Sequence, residues 1–494
     1  MRSVTIGRRT IGDRTPCYVI AEAGSNHDGD LDQACRLIDV AAEAGARRLS
    51  PEGQRILALE NETVAGHTCK VIELDGPLDV DRLRASIAER LPRAPKLSMR
   101  LTEIDGAPWW IPDPQVNIAA QVVESGRSAA ADEAGFLATV SAIFAQHLDR
   151  SRPLWRMDVI PRIPGGGSAL VWRIHHALAD GLTAMRMAGA VLWDEEPAQG
   201  AASRVLPGHG RGSASTFPVR AGSASESRAA AAAGGAAPAQ HHRLDGLLSA
   251  VREAPQPWLR SPFDGHIDGR RALAFTTAGL GDLRQVAAAT DGATVNDVVL
   301  AVVAGGLRRW LEAHHGHLGA VRVKVPVSLH TPPLTPGDAD SQPGNRDSFF
   351  CLDLPLGSAD PLQRLTAIRR ATRVRKQGHD AQHLDALMRG LAHTPRLSRF
   401  ADRILAHPRS FALNVSNVPG PRRPIQVLGV PVRALYTLAE IREHHALRVS
   451  VVSLADSLNF GLVADPTLLD DVDQLAAHMH AEAATLIASG QRED

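Results

Sequence analysis

Several features that mark common classes of protein are scarce in this sequence of 494 residues. Ten Phe, seven Trp and two Tyr are too few to form a stacking platform for single-stranded nucleic acid. Lys and Arg together number 54, as do Asp and Glu, so no net charge attracts the chain to nucleic acid. We therefore expect no nucleic-acid partner.

Cysteine is also scarce, and its four residues are far apart. Cys17, Cys35, Cys69 and Cys351 form no CxxC pair and show no spacing typical of a disulfide framework or a zinc knuckle. The longest apolar run, Val298–Leu307, has ten residues, whereas a helix that spans a membrane needs about 20. The charged N-terminus lacks the apolar core of a signal peptide. These absences predict a cytoplasmic protein whose contact with membranes, if any, is peripheral.

A change in composition divides the chain. The stretch from Gln199 to Gln240 is almost wholly Ala, Gly, Ser, Pro and Arg, and it has too little apolar surface to offset the entropy of ordering it, which predicts a flexible linker. Turn-forming residues predict a shorter loop at Thr331–Pro343. We expect a separate N-terminal segment at 1–48, a first half at 49–198, the linker at 199–258 and a second half at 259–494.

Hydrophobic periodicity predicts both strands and helices in each half. The predicted strands are Cys69–Leu74, Ala169–Ile174, Arg322–Ser328, Ala446–Leu454 and Leu458–Val463. The predicted helices are Val80–Leu91, Phe136–Leu148, Gly181–Leu192, Thr294–Leu311 and Leu362–Lys376. Strands and helices do not alternate regularly enough for a doubly wound parallel sheet, so the expected fold class is α/β with layered α+β halves.

The most informative local feature is the turn VWRIHHALADG, which follows a buried strand. Alternation along the strand sends His175 and His176 in opposite directions, so one packs inward while the other faces a cleft. Three interpretations are open. The histidines are structural, with Asp180 capping a helix that Gly181 begins; or the three polar residues bind a metal, although adjacent histidines on an extended segment point apart; or one histidine is a general base, because neutral imidazole can take a proton from a hydroxyl.

The sequence HHALADG at 175–181 matches the HHxxxDG motif of the chloramphenicol acetyltransferase superfamily, and its flanks resemble the bacterial wax ester synthase/diacylglycerol acyltransferase family. Other segments resemble the same family, in the family's order. They are LSPEGQRILALE (Leu49–Glu60), ELDGPLDVDRLRASIAERL (Glu73–Leu91), RPLWRMDVI (Arg152–Ile160), SPFDG (Ser261–Gly265), TVNDVVLAVVAGGLRRWL (Thr294–Leu311), VPVSLH (Val325–His330), GN (Gly344 and Asn345), NVSNVPGP (Asn414–Pro421) and LNFGLVAD (Leu458–Asp465).

This resemblance implies two chloramphenicol-acetyltransferase-like halves joined by a linker, with the active site in a tunnel between them. By match to the motif, His176 would be the general base that deprotonates an acceptor hydroxyl for attack on the thioester of acyl-CoA. Asp180 would hold the turn through hydrogen bonds or an arginine partner, with His175 and Gly181 as supporting motif residues. The resemblance implies acyl-CoA as co-substrate and no metal or redox cofactor.

Asn296-Asp297 matches the family's ND pair, and the resemblance implies that it lies at the start of a helix near the interface between the halves. A helix cap explains the pair equally well. Three residues depart from the family's pattern: Asp264 stands in place of Asn in SPFNG, His330 in place of the Arg after VPVSL, and Gly53 in place of Asp in LSPxD. Each change removes a polar anchor and bears on substrate choice.

The predicted helix Leu362–Lys376 is strongly basic. A solvated face explains it in the ordinary way. The alternative is docking on an anionic membrane or lipid droplet, or on the phosphates of CoA. Its basic residues are Arg364, Arg369, Arg370, Arg373, Arg375 and Lys376.

The N-terminal segment resembles a different family, the N-acetylneuraminate synthases. CYVIAEAGSNHDGD would be the first strand and loop of their barrel, with Glu22 at an active-site position and Asn26 and His27 in the same loop. The match ends at Ala46, and one strand and helix cannot close a barrel that needs about 250 residues. We expect this segment to be a truncated relic, a fusion scar or the result of a mis-called start, without synthase activity.

The expected function is an O-acyltransferase that joins a fatty acyl group from acyl-CoA to diacylglycerol or a long-chain alcohol. Two alternatives remain open from the sequence. One is an acyltransferase of specialised metabolism that takes its acyl group from a carrier protein. The other is a lipid-binding homologue that has lost its catalytic activity.

Overall fold

The structure, a computed structural model, describes residues 45–104, 106–125, 132–194, 255–256, 261–316, 318–328, 347–378 and 407–491, two short pieces at 4–6 and 9–11, and residues 380, 382 and 404. The strands in chain order are β1 (Val4–Ile6), β2 (Arg9–Ile11), β3 (Arg47–Arg48), β4 (His67–Leu74), β5 (Met99–Ile104), β6 (Ala107–Pro112), β7 (Val122–Glu124), β8 (Trp155–Ile160), β9 (Ser168–His175), β10 (Ala272–Gly279), β11 (Arg322–Ser328), β12 (Asp347–Asp353), β13 (Leu413–Val418), β14 (Gln426–Val427), β15 (Val430–Ala439), β16 (Leu447–Leu454) and β17 (Ser457–Ala464).

Nine α-helices lie within the described residues. In chain order they are α1 (Pro51–Ala58), α2 (Val80–Arg90), α3 (Ile118–Gln121), α4 (Glu133–Phe144), α5 (Gly181–Val191), α6 (Leu280–Ala289), α7 (Val295–His315), α8 (Pro361–Gln377) and α9 (Val472–Gly490). The predicted strands and helices named above all correspond to elements here, with ends that differ by a few residues.

Two six-stranded sheets form the body of the molecule. The first has the order β14-β15-β4-β9-β8-β7 and is antiparallel except between β7 and β8. The second has the order β10-β17-β16-β13-β11-β12, with β16, β13 and β11 parallel to one another. A small sheet, β3-β6-β5, flanks the first half.

Helices cover these sheets through apolar faces that the strand alternation creates. Along β9, Ala169 and Val171 face a core that includes α4, whereas Leu170 and Trp172 face a second core with α2 and α5. In the second sheet, alternate residues of the strands pack against α7 and α9. The predicted layered α/β architecture is confirmed.

The boundary between the predicted halves is not a boundary between the sheets. Strand β15 lies within 259–494 but pairs antiparallel with β4 of the first sheet, with Thr437 opposite Lys70, and β14 follows it. Strand β15 also packs against β16 and β17 of the second sheet. Hydrophobic periodicity predicts a strand but not its partner in a sheet, so the pairing of β15 with β4 could not be predicted from it.

Several expectations fall on residues that the structure does not describe. They concern the barrel-like segment at 12–44 with Glu22, Asn26 and His27, the stretch Gln199–Gln240 of the predicted linker, the loop Thr331–Pro343, and His330.

Candidate active site

The two histidines of the HHALADG turn occupy different environments. His175 is the last residue of β9 and is buried, and its Nδ1 accepts a hydrogen bond from the backbone N–H of Ala177 at 3.1 Å. The backbone N–H of His176 donates to the carbonyl of Gly66 at 2.9 Å, and the His176 side chain lies on the wall of a cavity. The structure therefore places His176 at the cavity and His175 behind it.

His175 is held by an acidic partner that the sequence analysis did not identify. Its Nε2 lies 3.2 Å from Oε2 of Glu60, which also pairs with Arg150 at 2.6 Å. Burial raises the pKa of Glu60, but the hydrogen bonds from His175 and Arg150 outweigh it and hold that pKa below its usual value. Gly66 makes room for this contact, because a Cβ there would lie 2.8 Å from Nε2 of His175.

Asp180 caps the helix that follows the turn. Its carboxylate accepts a hydrogen bond from the backbone N–H of Thr183 at 2.6 Å, and Gly181 begins α5. A Cβ on Gly181 would lie 2.9 Å from Cγ2 of Val418 in β13, so this glycine lets the turn approach the second sheet closely. Asp180 is buried and also lines the cavity.

The cavity has a volume of about 400 Å³ and lies between the two sheets. On the first-half side its apolar lining comes from Ile56, Leu59, Val64 and Leu182. Strands β11, β13 and β16 form the opposite wall, which is mostly polar. The first-half side also includes polar residues such as Lys70 and Asp180, so His176 faces a cavity whose lining is both apolar and polar.

The electrostatic surroundings keep His176 neutral. Burial lowers the pKa of His176 to about 4, and the positive charges of Arg448 and Arg442 act in the same direction, whereas Asp180 opposes them. An imidazole with this pKa is unprotonated at neutral pH. It can therefore accept a proton.

Lys70 is a cavity residue that the sequence analysis missed. It is 2% exposed, and its Nζ donates a hydrogen bond to Oγ1 of Thr437 on β15 at 2.7 Å. Burial lowers the pKa of Lys70 to about 8, and the nearby carboxylate of Asp180 acts against that shift. The available signal was a lysine inside the apolar strand HTCKVIEL, since lysine is rarely buried without a partner.

Thr68, two residues before Lys70 on β4, also lines the cavity. Its hydroxyl is buried, and it has no hydrogen-bond partner among the residues that the structure describes. Buried hydroxyls are normally satisfied, so this group is available to a polar atom of a bound molecule.

The Asn296-Asp297 pair is not among the residues that line the cavity. Asp297 forms a capping box with Thr294 at the start of α7, and its Oδ1 accepts a hydrogen bond from Thr372 of α8 at 2.6 Å. The helix-cap interpretation therefore accounts for Asp297, which fastens α7 to α8.

Two of the departures from the family's pattern have structural partners. The carboxylate of Asp264 lies 2.8 Å from Nδ1 of His444, outside the cavity lining. Gly53 lies in α1, where a Cβ would lie 2.6 Å from Leu49, and its N–H donates to the hydroxyl of Ser50.

Among the described residues, no group of His, Cys, Asp or Glu is arranged to hold a metal ion, and no helix is long and apolar enough to cross a membrane.

Comparison with protein families gives a match to most of the chain. The model "Wax ester synthase/diacylglycerol acyltransferase catalytic domain" matches residues 49–299, and the model "WS/DGAT C-terminal domain" matches residues 343–486. The chain belongs to the wax ester synthase/diacylglycerol acyltransferase family. The first match begins at Leu49, where the resemblance in the sequence also begins. The expectation that the chain is an acyltransferase is confirmed.

Relatives in Mycobacterium tuberculosis support the same family. A probable diacylglycerol O-acyltransferase is 30% identical over 434 residues, which are 85% of this chain and 90% of that protein. A putative diacylglycerol O-acyltransferase of the same species is 32% identical over 389 residues, 74% of this chain and 75% of that protein.

Solved structures agree on the fold. The wax ester synthase/diacylglycerol acyltransferase of Marinobacter aquaeolei VT8 has a TM-score of 0.61 at 23% identity, covering 90% of this chain and 99% of that one. The starter condensation domain of rhizomide synthetase, in complex with C8-CoA and Leu-SNAC, has a TM-score of 0.57 at 15% identity, covering 92% of this chain and 96% of that one. The predicted fold class, two chloramphenicol-acetyltransferase-like halves, is confirmed.

Proposed function

We propose that this protein transfers a fatty acyl group from acyl-CoA to the hydroxyl of diacylglycerol or a long-chain alcohol, with His176 as general base. The observation that carries the proposal is a neutral imidazole on the wall of a cavity between the two sheets. The names of the family and of its mycobacterial relatives support the substrate class.

In the proposed reaction, His176 takes the hydroxyl proton of the acceptor as its oxygen attacks the carbonyl carbon of the thioester. The tetrahedral oxyanion then collapses, the carbon–sulfur bond breaks, and the imidazolium returns the proton to the thiolate of CoA. The hydroxyl of Thr68 is a hydrogen-bond donor available on the same wall. The step uses no metal or redox cofactor.

Asp180 serves as a positioning residue in this proposal. Its carboxylate is occupied by the N–H of Thr183 at the start of α5, and the charge of Lys70 lies nearby. His175 supports the turn from behind through Glu60, and Gly181 lets it approach β13. The apolar residues of the lining, which are Ile56, Leu59, Val64 and Leu182, suit a hydrophobic acceptor, because such an alcohol loses water-exposed apolar surface when it binds there.

The test is CoA release from palmitoyl-CoA with dioleoylglycerol, with hexadecanol and with no acceptor. His176→Ala should lower acceptor-dependent release by about 10²-fold or more, because the transition state loses its base. His480→Ala, which removes an exposed histidine of α9, is the matched control and should release CoA at the wild-type rate.

Retention of wild-type release by His176→Ala would contradict the role of this residue. If the wild-type protein releases no CoA with either acceptor, the substrate assignment fails. The alternatives are then an acyltransferase that uses an acyl-carrier thioester as donor, or a protein that binds lipid without turnover.

We also propose that the protein binds peripherally to anionic membrane or lipid-droplet surfaces through α8. Of the basic residues predicted for this helix, Arg364 is buried against Glu482, and Arg369 and Arg375 pair with Asp291 and Asp380. The exposed ones are Arg370, Arg373 and Lys376, beside Val374, which is 61% exposed. A basic surface with an exposed apolar side chain suits peripheral contact with anionic lipid.

A further inference from the structure

Two buried side chains of β4 have hydrogen-bonding capacity that the described part of the chain does not use. The ammonium group of Lys70 can donate more than one hydrogen bond, and within the described residues it donates to Oγ1 of Thr437 alone, at 2.7 Å. The hydroxyl of Thr68 is buried and has no partner within the same residues. Buried polar groups are normally satisfied, so both side chains indicate a bound polar group.

Alternation along the strand places both side chains in the cavity. Thr68 and Lys70 are two residues apart on β4, and both line the cavity. Their neighbours Cys69 and Val71 belong to the core on the other face of the sheet. Thr68 and Lys70 therefore form one polar strip on the wall of the cavity, which we call the Thr68–Lys70 strip.

The strip begins next to the proposed base. The backbone N–H of His176 donates to the carbonyl of Gly66, the residue before β4. Thr68 lies two residues further along, which is about 7 Å in a strand, and Lys70 lies about 7 Å beyond it. The charge of Asp180 raises the pKa of both His176 and Lys70, so its carboxylate is near both. A molecule with a hydroxyl at His176 that extends along β4 meets Thr68 first and Lys70 next.

We propose that the Thr68–Lys70 strip binds the ester carbonyls of the acceptor while the free hydroxyl of the same acceptor lies at His176. The proposal rests on the proposed function and chooses between its two acceptor classes, because diacylglycerol has ester carbonyls and a long-chain alcohol has none. The hydroxyl of Thr68 and the ammonium group of Lys70 donate hydrogen bonds to the carbonyl oxygens.

The dimensions of diacylglycerol fit the strip. Its free hydroxyl oxygen and the nearer carbonyl oxygen are joined by a short chain of covalent bonds that spans at most about 6 Å when extended. This is close to the distance of about 7 Å along β4 from Gly66 to Thr68. The thioester of the donor must lie at His176 itself, where it reacts, so a carbonyl held at Thr68 belongs to the acceptor.

An alcohol without ester groups would leave the strip unsatisfied. Such an alcohol displaces water from the cavity but has no oxygen besides its hydroxyl, so Thr68 and Lys70 lose water without gaining a partner. A site that hydrogen-bonds its substrate discriminates strongly against an analogue that lacks the bonded group, whereas an apolar wall discriminates weakly. Burial lowers the pKa of Lys70 to about 8, so the group is largely charged at neutral pH, and a charged donor makes the stronger hydrogen bond.

The test compares three acceptors with palmitoyl-CoA as the common donor: dioleoylglycerol, its diether analogue di-O-oleylglycerol, and hexadecanol. The diether keeps the hydroxyl and both chains but has no carbonyl, so the wild type should use it less well than dioleoylglycerol. Lys70→Met should lower kcat/KM for dioleoylglycerol about tenfold, because a hydrogen bond from a charged donor is lost. It should not lower kcat/KM for the diether or for hexadecanol.

Thr68→Val is a second variant, which keeps the shape of the side chain and removes its hydroxyl. It should lower kcat/KM for dioleoylglycerol about fivefold, again without loss for the other two acceptors. Arg433→Gln is the matched control, because Arg433 is an exposed cation of β15 that pairs with Glu73 outside the cavity. It should leave the ratios between acceptors at their wild-type values.

An equal loss with all three acceptors would overturn the subsite, because a structural role or a contact with the donor affects every acceptor alike. Equal use of the diether and dioleoylglycerol by the wild type would overturn it as well. The unfolding temperature of each variant shows whether it folds, and if Lys70→Met does not fold, Thr68→Val decides.

Calorimetric titration without a donor separates this proposal from the proposed function, because it needs no turnover. Lys70→Met should bind dispersed dioctanoylglycerol about tenfold more weakly than the wild type does, with no loss of affinity for the dioctyl diether. If binding of dioctanoylglycerol depends on Lys70 but no acceptor gives CoA release, the subsite stands and the proposed function fails. If the wild type turns over and Lys70→Met binds dioctanoylglycerol as the wild type does, the subsite is overturned.

Discussion

At the scale of single residues, the cavity depends on charges that the motif does not contain. The HHxxxDG pattern identified His176 and Asp180, but Lys70, Glu60 and Arg448 determine the electrostatic environment of the turn. These residues come from β4, the segment after α1, and β16, and no local spacing connects them. A sequence motif describes one stretch of chain, whereas the pKa of a side chain depends on everything folded around it.

Arg448 gives a prediction at this scale. Because its positive charge adds to the effect of burial in lowering the pKa of His176, Arg448→Gln should raise that pKa from about 4 part of the way toward its usual value. Only the neutral imidazole accepts a proton, so activity is lost as the pH falls through this pKa. The acid limb of kcat/KM against pH should therefore move to higher pH in the variant.

The measurement is CoA release from palmitoyl-CoA between pH 4 and 8, with the unfolding temperature recorded at each pH so that loss of fold is recognised. Arg433→Gln removes a cation far from His176 and should keep the wild-type acid limb. An unchanged acid limb in Arg448→Gln would show that Arg448 does not act on the base.

At the scale of elements, the sequence predicted which segments are strands or helices better than it predicted their partners. The turn, α5 and α7 follow from hydrophobic period and caps: Asp180 caps α5, and Thr294 with Asp297 caps α7. The pairing of β15 with β4 did not follow, because strand partners are chosen by long-range packing. The cavity lining from β15, including Thr437, was therefore missed as well.

Helix α8 gives the prediction that belongs to this scale. The wild-type protein should float with liposomes that contain anionic lipid, and Arg370→Glu with Arg373→Glu should abolish flotation, because the exposed basic face then repels the surface. Arg422→Glu with Arg423→Glu, a similar charge reversal in the loop after β13, is the control and should float. Equal flotation of the α8 variant and the wild type would contradict contact through this helix.

At the scale of the whole molecule, the two halves share both their cores and their cavity. One apolar core runs from β4 and α4 of the first half to α7 and α9 of the second, and β15 completes the sheet of the opposite half. The cavity walls are therefore fixed by the assembly of both sheets. Polar residues that would be costly to bury in either half alone, such as His67 and Lys70, lie at this junction.

This arrangement makes the stability of the fold depend on pH. Burial lowers the pKa of His67 to about 3 and that of His176 to about 4, whereas in the unfolded chain a histidine titrates near 6.5. The unfolded chain therefore takes up protons first as the pH falls below 6.5. Each histidine should lower the free energy of unfolding by about 1.4 kcal/mol per pH unit between pH 6 and 5.

His67→Gln isolates one of these contributions. The hydrogen bond of His67 to the carbonyl of Phe144, 2.8 Å long, can be made by the amide of glutamine, so the variant keeps a donor in place while it loses the titrating group. The measurement is denaturant unfolding at pH 5, 5.5, 6 and 7. As the pH falls, the free energy of unfolding should decrease less steeply for His67→Gln than for the wild type, by about 1.4 kcal/mol per pH unit. His480→Gln, on the exposed face of α9, should follow the wild type. The same slope in His67→Gln and the wild type would mean that His67 is not kept neutral by the fold, and the acid sensitivity would then belong to other groups.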